Sequence, residues 1–101
     1  MGAWIGSWSA PRASRGGSVG LILTRGTQPG RITGQFTFIH EAKSRTTRYE
    51  GTITDSVIRF TLPGEAEIVL RREGSGLVGE FSGRQTYVPV ADGTLELTRA
   101  D

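Results

Sequence analysis

The chain has 101 residues, with 12 Lys and Arg against 10 Asp and Glu, which leaves a formal net charge of +2. This length predicts a single domain over 1–101. The absence of cysteine excludes disulfides and thiolate chemistry, and with one histidine we expect neither a metal site nor a cofactor. No apolar run is long enough to form a membrane-spanning helix.

Apolar residues recur with a period of two along the whole chain, which is typical of half-buried strands. Gly, Pro and Asp interrupt this alternation at sites such as Pro29-Gly30, Pro63-Gly64 and Asp92-Gly93. These residues supply the fixed or positive φ that a chain reversal requires. In chain order, the pattern predicts strands at 3–9, 18–25, 30–39, 46–54, 56–62, 65–73, 76–85 and 93–99.

The short connections make consecutive strands antiparallel neighbours. Such a meander can form a sandwich or a closed barrel. A sandwich with Greek-key order needs a long crossover, and the long connection at 10–17 lies too close to the N-terminus to serve as one. Closure also removes the two exposed edges of a meander. We therefore predict an all-β fold, an antiparallel up-and-down meander closed into a small eight-stranded barrel.

The alternation also predicts which side chains face the barrel interior. The inward set is Trp4, Gly6, Trp8, Val19, Leu21, Leu23, Ile32, Gly34, Phe36, Phe38, Tyr49, Gly51, Ile53, Ile58, Phe60, Leu62, Ala66, Ile68, Leu70, Leu77, Gly79, Phe81, Leu95 and Leu97. Gly6, Gly34, Gly51 and Gly79 stand in the middle of strands. They allow either sharp coiling with close approach of the strands, or room for a ligand.

Gly2-Ala3-Trp4 opens the first strand, and Leu97-Thr98-Arg99 ends the last. Together with the eight-stranded meander, these residues resemble the calycin superfamily, the lipocalins, avidins and their relatives. The resemblance implies that Trp4 plugs the closed end of the barrel and that Arg99 packs across its indole. The overall pattern also resembles small barrel domains that are common in bacteria and have no assigned function.

The chain departs from this family in three respects. It is shorter than a typical lipocalin and lacks the C-terminal helix. Its tryptophans are Trp4 and Trp8, so the further inner tryptophans that hold biotin in avidins have no counterpart. His40 stands at a strand end beside a charged loop, which does not match the haem ligand of other relatives.

Alternating strand directions sort the chain into two ends. The end that contains Trp4 has tight turns at 26–29, 55 and 74–75. The other end has longer connections, which usually carry function, at 10–17, 41–45 and 86–92. The candidate ligand-binding residues gather at this second end: Trp8, Phe38, His40, Tyr49, Phe60, Phe81, Gln85 and Tyr87. They either line a pocket for a small molecule or fill the core of a small barrel.

At the Trp4 end, Arg25 and Arg72 fall on the inward parity. They either extend their charged groups to water over their own aliphatic stems or form a small anion site with Arg99. The chain has no basic stripe interleaved with exposed aromatics, so nucleic acid is not an expected partner. The N-terminal residues lack the pattern of a signal peptide, which predicts a cytoplasmic protein unless a leader has been removed.

The predicted interior has no carboxylate in the middle of a strand, and the chain has no G-x-S-x-G, H-E-x-x-H or phosphate-loop motif. We therefore assign no catalytic residue and predict non-catalytic binding of a small apolar or aromatic ligand at the open mouth of the barrel. One alternative is a cyclase or isomerase that holds its substrate in a reactive shape, with Tyr49 or Tyr87 polarising a carbonyl. The other is a protein-interaction or homo-oligomerisation module that uses the outward-facing Ile5 and Ile22.

Overall fold

The computed structural model describes residues 2–10, 15–40, 43–62, 67–82 and 92–100. In this part of the chain the strands are β1 Gly2–Ala10, β2 Arg15–Arg25, β3 Arg31–His40, β4 Lys43–Thr54, β5 Val57–Thr61, β6 Glu67–Glu73, β7 Gly76–Ser82 and β8 Asp92–Arg99. They follow one another around a closed barrel, every neighbour is antiparallel, and β8 pairs with β1. The predicted up-and-down barrel is confirmed. None of the described residues forms a helix long and apolar enough to cross a membrane.

The first four strands are longer at the Trp8 end than the sequence predicts, and β5 ends one residue earlier, at Thr61. β1 and β2 stay paired as far as Ala10↔Arg15, and β3 and β4 as far as His40↔Lys43. Of the expected loops at 10–17 and 41–45, residues 10, 15–17 and 43–45 are therefore strand, and the remaining residues lie outside the described ranges. The first part of β4 is entirely polar, so it shows no alternation, and its pairing with β3 determines its conformation. The predicted strand residues 65–66 and 83–85 lie outside the described ranges.

The turns at the Trp4 end are as tight as predicted. Asp55 and Ser56 connect β4 to β5 as a two-residue loop, with φ of 51° and 66°. Positive φ at both central residues is typical of a type I′ turn, whose twist matches that of the flanking strands. Gly74, with φ of 62°, occupies the first central position of the β6–β7 turn. The loop between β2 and β3 closes with the Gly26 amide donating to the carbonyl oxygen of Arg31 at 2.9 Å.

The predicted inward parity is confirmed for the described residues. The buried apolar side chains are at most 6% exposed and form one cluster along the barrel axis. Ala66 lies outside the described ranges. On the outer face, Ile5 and Ile22 are 57% and 47% exposed, which agrees with their predicted outward parity.

The glycines in mid-strand are sites where neighbouring backbones come very close. A Cβ on Gly34 would overlap the carbonyl oxygen of Ile22, and a Cβ on Gly6 would overlap that of Glu96. A Cβ on Gly51 would likewise overlap a carbonyl oxygen of β5, and a Cβ on Gly79 would overlap one of β6. These glycines make room for the adjacent strand, as tight coiling of a small barrel requires, rather than for a ligand.

Candidate binding sites at the two ends of the barrel

An aromatic cluster fills the interior toward the Trp8 end. We use this name for Trp8, Phe36, Phe38, Phe60 and Phe81, each 0–2% exposed. Trp8 packs edge to face on Phe38 and on Phe81, with ring centroids 6.0 and 6.1 Å apart. Phe38 meets Phe36 and Phe81 in the same way, at 4.9 and 5.5 Å. Edge-to-face contacts are the favoured geometry of aromatic pairs, so the cluster is a close-packed layer, and its rings have almost no exposed surface.

A hydrogen bond fixes Trp8 in this layer. Its Nε1–H donates to the carbonyl oxygen of Ile39 on β3 at 3.0 Å. The indole edge passes beside Gly17 on β2, where a Cβ would lie 2.6 Å from Nε1. The polar atom of the indole is therefore satisfied inside the wall, and its apolar ring faces the interior.

Tyr49 belongs to the barrel wall rather than to the mouth. Its ring stacks on Phe60, with centroids 4.0 Å apart and planes at 19°. It stands opposite Gly34 in the β3–β4 ladder and passes across it, so that its hydroxyl donates to the carbonyl oxygen of Ile22 at 2.9 Å. Burial raises the pKa of the Tyr49 hydroxyl well above its ordinary value. The hydroxyl is neutral and its one proton is engaged, so it is not presented to a substrate carbonyl.

The β3–β4 hairpin extends the wall of the barrel at this end. The described ladder between β4 and β5 starts at Gly51↔Phe60, whereas β3 and β4 remain paired to His40↔Lys43. On the inward parity of this extension, half-buried Thr47 stands opposite Phe36, and exposed Arg45 opposite Phe38. The backbone of His40 belongs to the hairpin. Its side chain, and the predicted ligand residues Gln85 and Tyr87, lie outside what the structure describes.

At the opposite end, the structure brings together the two residues expected to form the plug. Trp4 and Arg99 are partners in the β1–β8 ladder, and the guanidinium carbon of Arg99 lies 5.3 Å from the centroid of the Trp4 ring. Gly2 has φ of +139°, and a Cβ there would lie 2.7 Å from Nη2 of Arg99. The glycine of Gly2-Ala3-Trp4 therefore leaves space for the guanidinium to cross the indole, a favourable cation–π geometry.

The Trp4 end also contains a cleft of about 150 Å³, at the end where the sequence left open an anion site of Arg25, Arg72 and Arg99. Its described lining residues are Trp4, Leu23, Ile53, Ser56, Ile58, Arg72, Leu77 and Arg99. Two of the three arginines therefore line the cleft, and Arg25 is not among these residues. The indole Nε1–H of Trp4 is buried at this end and has no hydrogen-bond partner among the described residues.

An open depression of about 710 Å³ lies on the outer wall across β2 to β5. Its side chains include Thr24, Thr33, Gln35, Arg48 and Glu50, which are the outward positions of those strands. This composition is that of a solvated sheet face. Within the described residues, no three His, Asp or Glu side chains come together as a metal site would require.

The function of the chain is inferred below from the geometry of the two ends of the barrel, because comparison with known proteins gives no relative. No model of a known protein family, no curated protein and no solved structure matches the chain significantly.

Proposed function

We propose that the protein is a calycin-like barrel that binds a small apolar or aromatic molecule at its Trp8 end without catalysis. The observation that carries the proposal is a fixed layer of aromatic rings beside a wall that extends past it. Trp8 is held by its hydrogen bond to Ile39, and the β3–β4 hairpin continues beyond the first β4–β5 pair. These rings are 0–2% exposed, so a ligand binds against them by displacing the groups that cover them, and it then loses water on contact with a rigid apolar surface.

The ligand class follows from the chemistry of the aromatic cluster. The rings offer carbon surface and ring edges, so affinity comes from buried apolar area, at roughly 25 cal/mol per Å², and from ring–ring contacts. Because the rings of the aromatic cluster contact one another closely, the ligand lies against the cluster and does not enter between the rings. Its polar groups contact the rim, by which we mean the inward-facing residues of the β3–β4 hairpin beyond the cluster. Thr47 and Arg45 are the described rim residues on the inward parity.

The interior supports binding rather than chemistry. None of the buried residues in the described part of the chain is Asp or Glu. Tyr49, the buried ionisable group there, already donates its proton to Ile22 and is held neutral by burial. General acid–base catalysis needs a donor and an acceptor with tuned pKa values near the reacting atoms, and the described interior offers no such pair.

The test uses the uncharged fluorescent probe N-phenylnaphthylamine. We expect its emission to rise saturably with the wild-type protein. Thr47→Asp places a carboxylate above Phe36, and because an apolar ligand would have to desolvate that charge, we expect affinity to fall by about tenfold. Ser44→Asp is the matched control, since Ser44 is an exposed residue on the outward parity of the same strand.

Two results contradict the proposal. One is the absence of any saturable rise with the wild-type protein. The other is an equal affinity of the Thr47→Asp and Ser44→Asp variants, which would locate the probe away from the inner face of the hairpin. Circular dichroism of both variants establishes that they remain folded, so a change in affinity reports on the site.

A further inference from the structure

The buried indole of Trp4 contrasts with that of Trp8. Trp8 donates to a backbone carbonyl, whereas Trp4 is 5% exposed and its Nε1–H has no acceptor in the part of the chain that the structure describes. Buried polar groups in folded proteins nearly always have a partner, and an exception calls for an explanation such as an absent ligand or water. Trp4 also lines the cleft at its end of the barrel.

Among the described residues, the charged side chains that line this cleft are Arg72 and Arg99, and none is Asp or Glu. In the same part of the chain Arg72 forms no ion pair, whereas Arg59 and Glu67 form one on the outer face. Two guanidinium groups and an indole N–H that has no acceptor in that part of the chain offer several donors and no anionic acceptor, which is the arrangement that recognises an oxyanion.

The rest of the lining is apolar and compact. Leu23, Ile53, Ile58 and Leu77 form the walls, and Ser56 adds a hydroxyl from the β4–β5 turn. The cleft volume of about 150 Å³ equals that of an engineered apolar cavity, about 150 Å³, that holds one benzene molecule. The space therefore suits a molecule of one ring or a short branched chain.

We propose that this cleft binds a small organic oxyanion, a carboxylate or a phosphate carried on a compact apolar body. Arg72 and Arg99 hold the oxyanion at the opening, and the apolar body lies against the walls. Nε1 of Trp4 has almost no exposed surface. For an oxygen of the anion to reach it, the exposed Arg99 side chain has to move off the Trp4 indole. The site is separate from the Trp8 end and independent of the function proposed there.

The two tryptophans make the test direct. The proton–nitrogen correlation spectrum of the labelled protein has one indole signal for each, and Trp8→Phe assigns them by removing one. The probes are benzoate, phenylphosphate and the uncharged benzamide. We expect benzoate or phenylphosphate to shift the Trp4 signal saturably while the Trp8 signal stays in place, and the anion that binds more tightly identifies the head group. We expect the affinity for benzamide to be lower than that for benzoate by about tenfold or more.

Arg72→Gln and Arg71→Gln are the matched pair of variants. Both remove one charge from β6, but Arg72 lines the cleft and Arg71 is exposed on the opposite parity. We expect Arg72→Gln to weaken anion binding about tenfold. We expect Arg71→Gln to leave it within about twofold, because Arg71 does not line the cleft and salt screens a surface charge that does not contact the anion.

Each of the following outcomes overturns the proposal. One is that the Trp4 signal does not respond to either anion. Another is that both variants weaken binding equally, which would indicate a general effect of net charge, and another is that benzamide binds as tightly as benzoate. A response confined to the Trp8 signal also overturns it and would point to the other end of the barrel.

Discussion

Replacing Gly34 by alanine tests the close contact between β2 and β3 on which the barrel depends. The new Cβ would overlap the carbonyl oxygen of Ile22 and lie 2.8 Å from the Tyr49 hydroxyl. A backbone oxygen cannot rotate away, so β2 must move relative to β3 in a ladder that pairs Leu23 with Gly34. Overpacking costs about 1–3 kcal/mol, and loosening one or two ladder hydrogen bonds adds about 1 kcal/mol each. We expect a loss of about 2–5 kcal/mol from a free energy of unfolding of about 5–15 kcal/mol.

The assay is thermal unfolding followed by circular dichroism, with urea unfolding as a second measure. A loss of about 3 kcal/mol lowers the Tm of a domain of this size by about 12 °C or more. Gly20→Ala is the control, because on the same sheet its Cβ would have Thr37 Cβ at 3.9 Å as its nearest contact, and removing the glycine stabilises by about 0.5 kcal/mol. Equal melting temperatures for the two variants would refute the close approach at Gly34.

Three further predictions concern the turn and the buried polar groups. Ser56→Gly should raise the free energy of unfolding, measured by urea titration, by about 1 kcal/mol. Ser56 has φ of 66°, where residues other than glycine are strained. An unchanged free energy of unfolding would contradict the type I′ turn. Trp8→Phe should lower the free energy of unfolding by about 1 kcal/mol more than Trp4→Phe does, because only the Trp8 variant loses a hydrogen bond, the one to Ile39. A larger loss for Trp4→Phe would show that the Trp4 indole has an acceptor. Burial raises the pKa of the Tyr49 hydroxyl, so folding keeps it protonated and its contribution to stability is present below about pH 10 and lost above it. Urea unfolding between about pH 8 and about pH 11 should therefore show a steeper loss for the wild type than for Tyr49→Phe, and parallel curves would indicate that the phenol is exposed.

The amino-acid sequence by itself determined the architecture. The period of two identifies both the strands and their inward faces, because successive side chains on a strand point to opposite sides. The short turns, such as Asp55–Ser56 and Gly74, require antiparallel neighbours. Parity alone also placed Trp4 and Arg99 on the same side of strands that must meet on closure, and they do meet.

The sequence did not determine the length of the strands at the Trp8 end. Lys43 to Arg45 begin an entirely polar stretch, so local pattern does not distinguish them from a loop. They form a strand because the unpaired backbone groups of β3 offer hydrogen bonds to them. This pairing, which is a property of the assembled sheet, created the wall that supports the proposed ligand site.

Only the tertiary structure decided what the inward residues do. Parity brings Phe38, Phe60 and Phe81 to the interior, but whether they surround a space depends on how closely the strands coil. Gly34 allows the backbones to approach until the rings contact one another, and so the interior is filled there. At the other end, Arg72 and the unpartnered indole N–H of Trp4 come from β6 and β1. They line one cleft because the barrel closes, and the parity of each residue, which predicts only that it faces the interior, does not give the distance between β6 and β1.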